Sequence, residues 1–141
     1  MAIDKAAAPE SHHKPRIVLS AEDYEGLSAL AHAARNRMPD AAAELAEEIA
    51  RADVLAEGEY PDHVVCMNSE VEFRDDTTGK TQTVTLVYPG EADISQGKVS
   101  VLTPVGTALI GLEAGQSITW ETPTGETRRM TVLAVRRHRS A

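Results

Sequence analysis

The chain is poor in aromatic residues, in cysteine and in positive charge. Of 141 residues only five are aromatic and one is cysteine, and 14 Lys and Arg face 22 Asp and Glu. Five aromatics cannot assemble a large aromatic pocket. The single thiol, Cys66, excludes an internal disulfide and accords with a reducing cytoplasm. A net charge of −8 argues against a general DNA- or RNA-coating role, because such binding is driven by phosphate neutralisation. The same charge suits docking onto a basic protein surface. It is uneven, with 12 acids against 6 bases in residues 1–60 and 10 against 8 in residues 61–141. No apolar run is long enough to span a bilayer, and the start "MAIDKAAAPESHHKPR" lacks the basic-then-apolar order of a secretion signal. The expectation is a cytoplasmic protein with no membrane partner.

What is present divides the chain into three. Residues 1–15 hold Ala, Pro and charge and read as a disordered leader. Order is expected from residue 16. Ser20 is an N-cap, with Asp23 placed to answer a backbone N–H as in a capping box and Leu19 and Tyr24 placed as a hydrophobic staple. Tyr24, Leu27, Leu30, Ala31 and Ala34 then form one helical face. Pro39 ends that helix at Met38 and opens a second, with Asp40 near its positive end. Ala41, Ala42, Leu45, Ile49, Ala52 and Leu55 make the second stripe, with Gly58 and Pro61 as its stop. Residues 16–60 therefore read as a short antiparallel helical hairpin, a small coiled coil. Its helices of about 17 residues would reach roughly 25 Å.

From Asp62 the period changes to two. Val71 and Phe73, Val84, Leu86 and Tyr88, Val99 and Val101, Ile118 and Trp120, and Met130 and Val132 alternate with polar neighbours, which predicts an antiparallel sheet with one solvated face. "DDTTGK" and "TPTGE" read as hairpin turns. Within "LTPVGTALIGLEAGQSITWETPTG", Thr103 is an N-cap, Pro104 the first helical residue and Gly111 the stop. The segment predicts a two-turn lid helix over the sheet, with Gly106 and Ala108 allowing close backbone approach and Gly115 turning into the next strand. Its glycines do not form a phosphate loop, since the Walker lysine is missing. The fold class is α+β, with residues 61–141 as the sheet domain.

These motifs carry a resemblance. Thr103-Pro104-Val105-Gly106, Ala108-Leu109-Ile110-Gly111, Gly115-Gln116 and Thr122-Pro123-Thr124-Gly125 follow, in order and spacing, the C-terminal domain of the GreA/GreB transcript cleavage factors. Thr103 replaces Ser and Gln116 replaces Asp. Further upstream, Pro61-Asp62-His63-Val64-Val65 and Met67-Asn68-Ser69 resemble the nucleoside diphosphate kinase regulator (Rnk) family, as does the short hairpin before them. The resemblance implies an FKBP-like antiparallel sheet around one short helix. It implies RNA polymerase as partner, docked at the rim of the secondary channel. Gre factors push a long coiled coil down that channel, where acidic tip residues help hold a catalytic magnesium. The tip carboxylates here, Asp40 and Glu44, sit on an arm too short to reach that centre. The expected protein competes with Gre-type factors without stimulating transcript cleavage. The polymerase-facing residues carried over are Glu91, Asp93, Thr103, Pro104 and Val105, although Thr103 and Pro104 also have a purely capping role.

Other readings are set beside this one. His12, His13 and His138 lie in the chain ends without a completing ligand cluster, so no metal or other cofactor is expected. His63 reads as packed or hydrogen-bonded, and Cys66 in "VVCM" as a buried inert thiol in a strand. Glu44, Glu47, Glu48, Asp53 and Glu57 read as a solvated face, and "RRHR" as a frayed strand end. No enzyme activity is expected. An FKBP-like isomerase or chaperone would need converging aromatics, and the sheet offers only Phe73, Tyr88 and Trp120. The kinase-regulator resemblance admits direct contact with nucleoside diphosphate kinase, or control of its level through transcription.

Overall fold

In the computed structural model, residues 16–122 and 124–137 are described. The leader, His12, His13, His138 and Pro123 lie outside them. Ser20 opens the first helix as the sequence predicts. Its hydroxyl accepts the Asp23 backbone N–H at 3.1 Å, and α1 runs Ala21–Ala33. The Asp23 carboxylate reaches beyond a local capping box: it accepts the backbone N–H of Met67 at 3.1 Å and so ties the helix start to the sheet half. Leu19 is buried while Tyr24 is 39% exposed, so the expected stapling pair has opposite surroundings.

After a turn, α2 spans Pro39–Ala50, with the proline in its first turn. The expected run to Gly58 does not occur. Asp53–Val54 (β2) pairs in parallel with Val18–Leu19 (β1), through Asp53 N–H to Ile17 O and Leu55 N–H to Leu19 O, both 2.9 Å. An Arg16–Asp53 ion pair lies at the same pairing. A residue cannot serve a helix and a sheet ladder at once, and the ladder takes 53–55. The helices therefore have 13 and 12 residues, or about 20 and 18 Å, shorter than the sequence implies.

The sheet comprises β3 (Ser69–Asp75), β4 (Thr81–Val87), β5 (Lys98–Ser100), β6 (Ser117–Glu121) and β7 (Thr127–Arg137), in the order β5-β4-β3-β7-β6. It is mixed rather than antiparallel, because β5 lies parallel to β4, with Leu86 opposite Val99. Alternation in Lys98-Val99-Ser100 reports which face is buried but not which way the strand runs. A bulge in β7 sets Glu72 opposite Ala134 and Phe73 opposite Val132, leaving Leu133 as the extra, exposed residue. Without it the period-two pattern could not turn both Val132 and Val135 to the core. β7 continues through Arg137, and Arg136 pairs with Glu70 and Glu72 at 3.3 and 3.6 Å, so positions 136 and 137 belong to a paired strand, while the rest of the expected frayed end lies outside the described residues.

The lid helix α3 is Pro104–Leu109. A Cβ on Gly106 would stand 2.3 Å from the Ser100 carbonyl oxygen, which explains why glycine is needed where the helix crosses Ser100. Gly111 has φ +81°, and a Cβ there would meet the Ile17 Cβ at 2.6 Å, so β1 rests on the glycine that ends α3. One apolar cluster joins both halves: Leu27 of α1 and Leu45 of α2 are buried with Val71, Leu86, Leu109 and Val132. Each such leucine contributes about 1.5–3 kcal/mol of transfer free energy.

Candidate docking surface

Thr103, Pro104 and Val105 form the first turn of α3. The Thr103 hydroxyl accepts the Gly106 N–H at 3.1 Å and donates to Ser100 O at 2.7 Å, so it is engaged in capping. Pro104 and Val105 remain half-buried at the surface. Thr107, one turn on, is buried and donates to Val101 O at 2.7 Å, pinning α3 to the end of β5.

The hairpin does not project from this surface. Glu44 and Glu48 of α2 line one groove with Pro104, Thr107, Ala108, Ile118 and Trp120. On the other side, Leu30, Ala34, Arg37 and Met38 line a cleft of about 190 Å³ with Pro89 and Leu102. The hairpin thus borders both the lid helix and the segment after β4 across these clefts. Asp40 and Glu44 are exposed, as expected, but Glu44 comes beside Pro104 instead of standing at a free tip. Glu48 departs from the solvated face: it is buried, with Oε1 accepting from the Arg51 guanidinium at 2.7 Å. Residue 48 lies three positions after Leu45 and four before Ala52, so helical spacing places it on the buried face, and only its charge suggested solvent.

Glu91 and Asp93 belong to an exposed ridge, residues 89–96, between β4 and β5. Two 3-10 turns, Pro89–Glu91 and Ile94–Gln96, build it. The Asp93 carboxylate accepts the Ser95 N–H at 3.1 Å and the Ser95 hydroxyl at 2.6 Å. Asp93 and Lys98 exchange two backbone hydrogen bonds of 2.9 Å, closing the loop. Asp93 thereby has a structural task that its carried-over docking role did not reveal.

Elsewhere the sheet carries several ion pairs. At the β3–β4 turn, the Thr77 N–H lowers the Asp75 pKa, aided by Arg128 at 2.8 Å. The Thr131 hydroxyl, then Arg74, lower that of Asp76. Tyr88 is different. Burial first, then the nearby Asp23 and Glu22 carboxylates, push its phenol up to about 12. Its ring is covered by α1, where a Cβ on Gly26 would lie 2.3 Å from the Tyr88 oxygen. His63 is exposed, not packed, with φ +61° and its carbonyl accepting the Ala114 N–H at 2.8 Å. Cys66 is a buried thiol that donates to Val64 O at 3.4 Å, and it opens a turn after an isolated bridge rather than lying in a strand. Among the described residues, no group of three potential ligands could hold a metal ion and no helix is long and apolar enough to cross a membrane.

Comparison with known proteins fits this architecture. The family model for the C-terminal part of the transcription elongation factors GreA/GreB matches residues 60–137, and that for the Rnk N-terminus matches residues 15–55. The regulator of nucleoside diphosphate kinase of Escherichia coli K12 is 38% identical over 120 residues, covering 85% of this chain and 88% of that protein. Transcription elongation factor GreA of Roseiflexus castenholzii is 37% identical over 92 residues, covering 65% of this chain and 58% of its own. Among solved structures, a prokaryotic GreA/GreB elongation factor from Nitrosomonas europaea superposes with a TM-score of 0.66 at 39% identity, covering 87% of this chain and 99% of that one. These relatives are regulators and transcription factors rather than enzymes. With one family model over its hairpin and the other over its sheet, the chain belongs to the GreA/GreB-related family of nucleoside diphosphate kinase regulators.

Proposed function

We propose that this protein is a non-enzymatic, cytoplasmic regulator that binds RNA polymerase at the rim of the secondary channel. There it excludes Gre-type factors without stimulating transcript cleavage. The FKBP-like sheet domain grips the rim, and the hairpin, a minimal coiled coil, blocks the entrance. The observation that carries this reading is the placement of the hairpin. Its helices are about 20 Å long or less, its turn faces Pro89 and Leu102 across a cleft, and Glu44 shares a groove with Pro104. Carboxylates at Asp40 and Glu44, carried on helices this short, would not be delivered to a distant magnesium centre.

The aromatic residues weigh against a prolyl isomerase. Phe73 is buried in the core, Tyr88 lies beneath Gly26, and Trp120 lines the groove with Glu44. Nucleoside diphosphate kinase enters this reading through its level, as a consequence of transcription. A pull-down that retrieves the kinase and no polymerase would reverse that order. The direct test adds purified protein to backtracked polymerase, alone and against GreA. The expected result is no cleavage alone and slower GreA-dependent cleavage in the mixture. Rapid transcript cleavage by this protein alone would overturn the steric argument.

A further inference from the structure

Ile94 is 77% exposed, well beyond Tyr60 at 50% and Met38 at 45%. Folding offers no reason for it. A β-branched residue is poorly suited to a tight turn, and this one gains almost no burial. The loop that displays it is closed at its base by the paired Asp93 and Lys98 backbone bonds. Asp93 holds Ser95 on one side of Ile94, and Gly97, at φ +74°, returns its N–H to the Ile94 carbonyl at 3.0 Å. The side chain is therefore presented from a fixed backbone, which reduces the ordering cost of binding. Around it the ridge is acidic, with Glu91 and Asp93 both exposed. At its start, Pro89 continues into the apolar cleft shared with Met38 and Leu102.

We infer that Ile94 is the apolar anchor of the docking ridge and that it enters a small apolar pocket on a partner protein surface rimmed by Lys or Arg. Two exposed carboxylates, Glu91 and Asp93, on the N-terminal side of one apolar side chain fit a partner of that chemistry, with Lys98 held at the base of the loop. Apolar burial then supplies the affinity, and the charges supply rate and orientation. The inference rests on the polymerase reading and deepens it by naming the residue that carries the affinity.

The test measures competition of the full chain with GreA for core polymerase. Ile94→Ser should weaken competition about tenfold or more, in the range of an interface hot spot. Ile94→Leu should restore most of the loss, and melting temperatures should match, since the side chain is outside the core. Glu91→Gln should weaken competition less, and only at low salt. If Ile94→Ser competes as well as the unmodified protein, the anchor assignment is wrong while the polymerase reading stands. If the unmodified protein does not compete at all, both fall together.

Discussion

The lid helix α3 and the hairpin α1–α2 are both helical cover for one sheet, yet they are specified differently. Every boundary of α3 is local: Thr103 caps it, Pro104 starts it, and Gly111 follows its end with a left-handed backbone. The hairpin has a local start at Ser20, but its end is set at a distance, where residues 53–55 pair beside 17–19. The short α3 can dispense with length because it is pinned at Thr103 and Thr107. The hairpin has neither a side-chain cap at Met38 nor a strong amphipathic pattern in α1, and it depends on burial in the shared core. A helix of 12 or 13 residues is marginal on its own in water.

That contrast can be broken most sharply at Leu45, fully buried on the sheet-facing side of α2. Leu45→Ala should cost about 2–5 kcal/mol. Because one core serves both halves, helix circular dichroism and Trp120 fluorescence should fall together in a denaturant titration. Separate transitions would show that the hairpin is an independent unit. A smaller change probes the local side of the comparison. Thr103→Ala removes the α3 cap and should lower stability by about 1 kcal/mol, with Thr103→Ser keeping most of it. A loss of polymerase binding in Thr103→Ala far beyond that stability change would give the hydroxyl a docking role as well.

A third effect, confined to alkaline pH, concerns the contact between the two regions at Tyr88. Its folded-state phenol is raised from 10.0 to about 12, so the protonated form is favoured in the native protein. That stabilisation is present below pH 10 and is lost as pH rises through the folded value, because the unfolded tyrosine ionises first. The stability difference between the unmodified protein and Tyr88→Phe should therefore shrink between pH 10 and about 12. A difference independent of pH over that window would mean that α1 does not shield the phenol.

Much of this was legible in the sequence. The Ser20 and Thr103 caps, the Pro39 and Pro104 starts, and most buried strand residues follow from backbone chemistry within a few positions. Gly106 is legible for the same reason, since a proline-led helix containing glycine signals close approach. The errors share another cause. Ala52 and Leu55 keep helical spacing and so extend the second helix toward Gly58 in the sequence, while the backbone partners of Asp53 and Leu55 lie more than thirty residues earlier. The β4–β5 pair was read as antiparallel because alternation carries no direction. Glu48 reads as solvated from its charge, whereas the fold buries it beside the groove that α2 shares with α3 and β6, with Arg51 as its partner. In the candidate site, Glu91 and Asp93 enter only through resemblance, whereas the exposure of Ile94 is not written in residue type.

The sequence by itself determined where helices begin, which strand residues turn inward, and that a Gre-related module is present, because caps, alternation and motifs act over short chain distances. Only the tertiary structure decided where α2 ends, which way β5 runs, that the hairpin lies on the sheet domain, and which ridge residue is left in water. Those outcomes depend on which distant backbone groups and apolar faces find each other first, and no window of neighbouring residues contains that competition.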